Sequence, residues 1–146
     1  MVRVALAHEA HAVARFMKRF EKETEFVKVD VEYTGNKYED LVNKGIATLF
    51  ILENENGEMV GGLGCIVGED LHTPRKVAVE TYWLVDRKYR NSLGGIKLFK
   101  YFESWAESRG YIPAMVHLTD SYPEELEHLY TRRGYKLIEK HYMKED

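Results

Sequence analysis

Apolar residues near the amino terminus recur at the spacing of a helix. Steps of four, three, four and three residues predict one buried helix face, formed by Leu6, Ala10, Val13, Met17 and Phe20. A short strand at residues 2–6 precedes it. Residues 21–35 are polar and lack periodicity, so we expect a loop there. Asn36 and Glu39 have the spacing of a capping box, so a short helix is expected to begin at Asn36 and to end at Gly45.

Three apolar runs in the middle of the chain predict neighbouring strands. Residues 47–53 and 58–67 lie on either side of Asn56-Gly57, a pair typical of a β-hairpin turn. Residues 77–85 are rich in β-branched and aromatic side chains and predict a long strand.

The last third of the chain alternates between helix and strand patterns. A polar, glycine-bearing turn at residues 87–95 precedes an apolar stripe, which predicts a helix ending at Gly110. A strand is expected at residues 112–118. A further helix, with Ser121 and Glu124 at capping-box spacing, ends at Gly134, and alternation at residues 135–143 predicts a final strand.

This order of elements predicts an α/β fold with a mixed sheet. Three adjacent strands interrupt the strand–helix alternation, which indicates an antiparallel portion within a central mixed β-sheet of about six to seven strands, with helices on both faces. The length of 146 residues fits one domain, residues 1–146.

Composition and charge exclude several classes of function. A formal net charge of −3 argues against a protein that binds nucleic acid through its phosphates. No apolar run reaches the roughly 18 residues of a membrane helix, and the first residues do not resemble a signal peptide. Cys65 is the one cysteine, so neither a disulfide nor a metal-ligand pattern is expected, and the expected location is cytoplasmic.

The segment 83–99 is the most informative for chemistry. A strand ends in a tight loop, and the loop leads directly into a helix that begins near Gly94-Gly95. A helix start presents backbone N–H groups and a positive dipole end, and glycines allow a phosphate to approach closely. The pair could equally be an ordinary turn, and it is neither a P-loop nor a dinucleotide-binding fingerprint.

Two elements resemble the GNAT N-acetyltransferase family. The first comprises Val85, Tyr89, Arg90, Gly95, Leu98 and Phe99, which fall at the positions of the family's strand–loop–helix signature; it departs at Leu93, where the family usually has glycine. The second runs from Leu129-Tyr130 to Gly134-Tyr135 and resembles the family's carboxy-terminal helix-to-strand element. It departs at Pro123, where the family often has asparagine, so any equivalent contact must come from Ser121 or Asp120 or be absent.

The resemblance implies a binding site for acetyl-coenzyme A between the long strand and the next one, and no metal. The backbones of Trp83 and Val85 would meet the pantetheine arm and the acetyl carbonyl, and the loop would hold the pyrophosphate. The implied cofactor-binding residues are Trp83, Val85, Arg90, Asn91, Ser92, Leu93, Gly94, Gly95 and Ile96.

The implied reaction is acetyl transfer to a primary amine by direct attack. Tyr130 is expected to be the general acid, with helix packing as the alternative for its side chain. Glu80 is a candidate general base, with a cross-strand pair as the alternative. His117 and His72 are weaker candidates for the base, and Cys65 is expected to be a small buried residue.

The acceptor is a small-molecule or peptide amine, and a homodimer is left open. The acidic residues Glu21, Glu23, Glu25, Asp30 and Glu32 would suit a cationic acceptor or form a solvated acidic loop. The other class of function is a non-catalytic acyl-coenzyme A binding or regulatory module with the same fold.

Overall fold

The computed structural model describes residues 1–25, 27–90, 93–118 and 123–145. The chain divides into two compact units, Met1–Val116 and His117–Asp146. The single domain expected over residues 1–146 therefore stays a prediction. The first unit contains β1 (Val2–Val4), α1 (Ala10–Lys18), α2 (Val31–Asn43), β2 (Ala47–Glu53), β3 (Met59–Glu69), β4 (Lys76–Val85), α3 (Gly94–Ser108) and β5 (Ile112–Ala114), and the second contains α4 (Pro123–Arg132).

The strands form one mixed sheet in the order β1-β2-β3-β4-β5. The first four strands are antiparallel to their neighbours, and β5 pairs with β4 in parallel. The predicted mixed α/β architecture is confirmed, with five strands in the described residues instead of six to seven. Residues 135–143 form no strand, because alternation supplies only the pattern and a strand also needs a partner edge.

Helices cover both faces of the sheet. Alternate residues of β2 divide between the two cores: Phe50 and Leu52 pack with α3, whereas Leu49 and Ile51 pack with α1 and the partly buried residues of α2. The strand is therefore buried on both sides, which explains its continuous apolar run.

The second helix begins earlier than its capping-box pattern predicted. The Asp30 side chain accepts a hydrogen bond from the Tyr33 N–H at 3.0 Å and caps α2 at Val31. Asn36, the predicted start, instead lies within α2, and its Oδ1 lies 2.9 Å from Nε2 of His11 in α1. A Cβ at Gly35 would overlap the His11 ring, so this glycine serves close helix packing and not a loop.

Two glycines of β3, Gly62 and Gly64, make room for one aromatic ring. Tyr82 in β4 is only 6% exposed, and its ring lies across Gly64 of the neighbouring strand. A Cβ at Gly64 would overlap Tyr82 Cε1 and lie 2.9 Å from Cδ1. The run of small residues in β3 is therefore a packing requirement of β4.

The second unit contains α4 and the segment that follows it. The helix ends before Gly134, which has φ +86°, and the Tyr135 N–H donates to the Tyr130 carbonyl at 2.9 Å. The predicted cap at Ser121 lies outside the described residues. The apolar side chains after the helix are exposed, among them Leu137, Ile138, Tyr142 and Met143.

None of the helices in the described part of the chain combines the length and the apolar character that a membrane crossing requires.

Replacing Gly64 with alanine is expected to destabilise the protein by about 1–3 kcal/mol, because the new methyl group collides with the buried Tyr82 ring. The matched control is Gly68→Ala in the same strand, where a Cβ meets nothing within 4 Å and stability should be unchanged or slightly higher. Urea unfolding of the three proteins measures the difference. Equal unfolding free energies for Gly64→Ala and Gly68→Ala would mean that the Tyr82 ring does not constrain β3.

Candidate active site

The edge of β4 opens beyond Val79. Its ladder with β5 contains three residue pairs, from Val77 with Ile112 to Val79 with Ala114. Its ladder with β3 continues to Val85. Within the described ranges, no strand pairs with β4 on the β5 side after residue 79, so its second half presents a strand edge.

Backbone direction identifies which groups face this open edge. The Asp86 N–H donates to the Val60 carbonyl at 2.8 Å, on the β3 side. Because backbone groups alternate along a strand, those of Val85 and Trp83 point to the opposite, open side. The Val85 carbonyl there accepts a hydrogen bond from Arg90 Nε at 2.8 Å. Trp83 and Val85, both predicted from the sequence, thus meet at this edge.

A β-bulge at Thr81 interrupts β4 two residues after its last pair with β5. Gly64 pairs with Tyr82 and Cys65 pairs with Glu80, so Thr81 is the additional residue. Glu80 and Tyr82, on either side of the bulge, are both buried. The Thr81 Oγ1 lies 2.6 Å from the Tyr38 hydroxyl, which ties the bulge to α2.

Glu80 is a buried carboxyl group beside the opening. Its exposure is 6%, and burial raises its pKa from 4.5 to about 8, although a hydrogen bond from the Val116 N–H at 3.3 Å acts in the opposite direction. A cross-strand ion pair, the alternative considered for Glu80, is absent among the described residues. A carboxyl group that titrates near neutral pH in a cleft is a candidate acid–base group.

Arg90 fixes the start of the β4–α3 loop. Besides the Val85 carbonyl, its guanidinium binds both oxygens of Glu23, at 2.8 and 3.0 Å, and lies 5.8 Å from the centre of the Phe20 ring. Arg19 and Asp86 form a second ion pair between the same two segments at 2.8 Å. The structure thus gives Arg90 a structural task that the sequence did not indicate, and its part in phosphate binding stays a prediction.

The loop leads into the amino end of α3. Leu93 is the residue before the helix and is 72% exposed, in agreement with a side chain directed away from a ligand at the helix start. The Lys97 N–H donates to the Leu93 carbonyl at 2.9 Å, so the amides of Gly94, Gly95 and Ile96 precede the first helical hydrogen bond.

Gly95 lies against the two β4 residues of the open edge. A Cβ placed on it would be 3.5 Å from Val85 Cγ2 and 4.0 Å from Trp83 Cζ2. Strand edge and helix start are therefore neighbours, as the strand–loop–helix pattern predicted. Asn91 and Ser92, the other predicted loop residues, lie outside the described residues.

The remaining sequence candidates differ in their surroundings. Tyr130 lies in α4 of the second unit, half-buried, with its ring centre 5.8 Å from that of Tyr135. His72 is exposed in the β3–β4 loop. Cys65 is fully buried, and burial raises its pKa to about 12, in agreement with a packing role.

Several acidic residues expected near an acceptor have internal partners. Glu21 accepts hydrogen bonds from the Val29 N–H at 2.7 Å and from the Lys18 ammonium at 2.9 Å, and these lower its pKa. Glu23 binds Arg90, and Asp30 caps α2. The acidic character of this segment therefore serves mainly to hold the chain between α1 and α2.

Sequence reasoning missed two groups of residues at the site. Tyr38, Thr81 and Tyr82 surround the bulge, and burial raises the pKa of both tyrosines. Their role depends on the bulge, which no single-sequence pattern indicates. Glu23 was considered only as part of an acidic loop; its position three residues after Phe20 carries no signal of a partner 67 residues later.

Among the described residues, no three or more His, Cys, Asp and Glu side chains form a group that could hold a metal ion.

Comparisons with known proteins agree with the geometry. The sequence pattern of the acetyltransferase (GNAT) family matches residues 11–135. No curated protein matches the chain.

Solved structures with this fold cover the whole chain. An acetyltransferase from Trypanosoma brucei has a TM-score of 0.72 at 16% identity, over 100% of this chain and 98% of that one. An aminoglycoside acetyltransferase from an uncultured soil metagenomic sample has a TM-score of 0.77 at 18% identity, over 100% and 97%. A ribosomal-protein-alanine N-acetyltransferase from Brucella melitensis biovar Abortus 2308 has a TM-score of 0.73 at 14% identity, over 100% and 99%. At these identities the likeness establishes the fold.

The burial of Glu80 predicts a specific pH dependence of stability. Its folded pKa is raised from 4.5 to about 8, so the folded protein holds this proton while the unfolded chain releases it. The free energy of unfolding should therefore fall as the pH rises between those two values, by up to about 1.4 kcal/mol per pH unit. Cys65, paired with Glu80 in the ladder, and Tyr38 stay neutral over this range because their pKa values are raised as well.

Glu80→Gln is expected to lose this dependence, because the amide imitates the protonated carboxyl group and can still accept from the Val116 N–H. Urea unfolding between these two pH values should show that the unfolding free energy of the mutant rises relative to that of the wild type as the pH rises. Glu55→Gln, in the exposed hairpin turn, is the control, and its unfolding free energy should depend on pH as that of the wild type does. If the unfolding free energies of Glu80→Gln and the wild type depend on pH in the same way, Glu80 titrates below this pH range.

Proposed function

The chain belongs to the acetyltransferase (GNAT) family, and on that premise we propose that it transfers an acetyl group from acetyl-coenzyme A to a primary amine. The observation that carries the proposal is the open edge of β4, which lies directly beside the amino end of α3. An extended ligand with amide groups and a phosphate at one end matches these two features.

In the proposed complex the pantetheine arm extends β4 as an additional strand. The backbone groups of Trp83 and Val85 point to that edge, and the Val85 carbonyl is already bound by Arg90, which leaves the Val85 N–H for the ligand. The pyrophosphate lies at the start of α3, with the amides of residues 91–96 around it. Glu23 balances the charge of Arg90, so the backbone and the helix dipole supply most of the attraction for the phosphates.

The proposed reaction uses Glu80, beside the open edge, as the base and, on the family resemblance, Tyr130 as the acid. Glu80, directly or through water, removes a proton from the protonated amine, since only the neutral amine has a lone pair for attack. The amine nitrogen forms a bond to the thioester carbonyl carbon, and the carbon–sulfur bond breaks. The coenzyme leaves as a thiolate and takes a proton from the Tyr130 hydroxyl, and the second proton of the attacking nitrogen passes through water to the Tyr130 phenolate, which completes the amide and restores the hydroxyl. A base with a pKa of about 8 is well matched to an amine, because it is partly ionised where the amine begins to lose its proton.

The acceptor is proposed to be a small molecule or a peptide with a primary amine. Two of the structural neighbours are named for an aminoglycoside and for the alanine of a ribosomal protein, which supports this range. Since Glu21, Glu23 and Asp30 have internal partners, Glu32, exposed in the first turn of α2, is the better candidate to meet a cationic acceptor.

The direct test is release of free thiol from acetyl-coenzyme A over a panel of primary amines, including aminoglycosides and peptides with a free amino terminus. The proposal expects release that depends on at least one amine. A binding module without turnover would give a thermal shift with acetyl-coenzyme A and no release.

Acetyl-coenzyme A is expected to raise the melting temperature, because a ligand that binds only the folded state stabilises it by about 2.7 kcal/mol at 100 times its Kd. Gly95→Leu should abolish the shift: a Cβ at this position already contacts Val85 and Trp83, so the remaining carbons must enter the ligand's space. Gly68→Leu, where a Cβ meets open space, is the matched control and should retain the shift. If Gly95→Leu shows the full rise in melting temperature, the start of α3 is not the phosphate site.

Tyr130→Phe is expected to reduce kcat by about 10²-fold, the low end for general acids, because a thiolate is already a fair leaving group. Affinity for acetyl-coenzyme A should stay close to that of the wild type, since the ring can still pack on Tyr135. A change in kcat without a change in affinity marks a transition-state role. The control is Tyr33→Phe, which removes the hydroxyl of an exposed tyrosine in α2. Wild-type turnover by Tyr130→Phe, with chemistry rate-limiting, would reduce Tyr130 to a packing residue.

A further inference from the structure

The residue that the bulge adds to β4 has no partner in either neighbouring strand. Thr81 lies between Glu80 and Tyr82, which pair with consecutive residues of β3, so it has no partner there. The ladder with β5 ends two residues earlier, at Val79. Because ladder hydrogen bonds fix the backbone of a strand, the position of a residue outside both ladders is set by contacts from outside the sheet.

Tyr38 of α2 supplies such a contact. Its hydroxyl lies 2.6 Å from Thr81 Oγ1, a short hydrogen bond between two hydroxyl groups. Its ring meets the Tyr82 ring edge to face, with the two ring centres 5.9 Å apart. One side chain therefore contacts both the extra residue of the bulge and the residue that follows it.

The helix that carries Tyr38 is itself fixed near this point. Asn36 Oδ1 lies 2.9 Å from His11 Nε2 in α1, and Gly35 packs so closely on His11 that a Cβ would overlap its ring. Both contacts lie within one helical turn of Tyr38. The part of α2 that reaches the bulge is therefore held against α1 and offers the bulge a fixed support.

The Glu80 carboxyl group has few contacts of its own to orient it. One oxygen accepts from the Val116 N–H at 3.3 Å, which is long for a hydrogen bond. The titratable groups near it are Cys65, opposite in β3, and Tyr38, and burial raises the pKa of both, so they are neutral near pH 7. Among the described residues no ion pair orients the carboxyl group, so its direction depends on the backbone that carries it.

We propose that Tyr38 positions the Glu80 carboxyl group by fixing the bulge through the Thr81 hydroxyl. The consequence for catalysis rests on the proposed function, in which Glu80 is the base. Tyr38 acts there as a positioning residue, because its hydroxyl is bound to Thr81 and not to the coenzyme or the amine. A catalytic group displaced by about 1 Å can lose about 10²-fold in rate, so loss of this support should be measurable.

Nuclear magnetic resonance of the Glu80 carboxyl carbon tests the positioning without an acceptor amine, and Glu80→Gln assigns the signal. In Tyr38→Phe the ring still packs on Tyr82, but the hydrogen bond to Thr81 is lost. The bulge then relaxes and water reaches the carboxyl group, which favours its ionised form. The midpoint of the Glu80 titration should therefore fall toward its ordinary value, by about one pH unit.

Three further variants show whether the hydrogen bond is responsible. Thr81→Val removes the other hydroxyl at nearly the same volume and should lower the midpoint as Tyr38→Phe does. Thr81→Ser keeps a hydroxyl at this position and should titrate like the wild type. Tyr33→Phe, which removes the hydroxyl of an exposed tyrosine in the same helix, is the matched control and should also titrate like the wild type.

Turnover provides the second measurement, with an amine that supports thiol release. Tyr38→Phe should lower kcat about tenfold, whereas complete loss of the base in Glu80→Gln should cost about 10²-fold or more. The KM for acetyl-coenzyme A should stay unchanged, since the hydroxyl does not contact the coenzyme. Because Tyr38 acts through Glu80, Tyr38→Phe should cause no further loss of kcat in a Glu80→Gln background.

The outcomes separate this inference from the proposed function. If no amine supports thiol release, the proposed function is overturned, and the Glu80 titration alone decides the positioning. An unchanged titration midpoint in folded Tyr38→Phe would overturn the inference, and Thr81→Val takes its place if Tyr38→Phe does not fold. A loss of kcat that persists in the Glu80→Gln background would also overturn it, because Tyr38 would then act by another route. A lowered midpoint with wild-type turnover would overturn both Glu80 as the base and the catalytic consequence of its positioning.

Discussion

The early end of the parallel ladder between β4 and β5 is the constraint on which the candidate site depends. After three residue pairs the two strands no longer share hydrogen bonds, while β4 continues for six more residues against β3. A strand held on one side by a neighbouring strand stays extended, so its other edge can be offered to a ligand without unfolding. The bulge at Thr81, the burial of Glu80 and the backbone direction of Trp83 and Val85 are useful only because of that opening.

The loop after β4 is held by charge pairs that reach back to the first helix. Arg90 bridges the end of β4 and Glu23, and Arg19 reaches Asp86. A phosphate-binding loop must keep its backbone amides converging in the absence of the ligand, since ordering it at the moment of binding would cost affinity. The segment before α2 therefore supports the proposed coenzyme site, in addition to any contact it makes with an acceptor.

Local sequence patterns predicted most of this fold. They failed where a residue distant in the sequence determines the structure. The hairpin at Asn56-Gly57 and the helix ending at Gly110 follow from turn chemistry and were confirmed. The start of α2 was wrong because Asn36 pairs with His11, a contact that arises only when two helices meet. At the site, the strand–loop–helix order was predictable. The bulge and the Glu23–Arg90 pair were not, since each depends on residues that only the folded chain brings together.

The buried Cys65 thiol can report how often the folded protein opens locally. The thiol is the only one in the chain, is fully buried, and has a pKa raised to about 12, so the native protein presents almost no reactive thiolate. It lies opposite Glu80 in the ladder that holds β4 straight. Its side chain packs in the core between the sheet and α3, so a thiol reagent can reach it only when that packing opens, and the rate of labelling measures how often the support beneath the site opens.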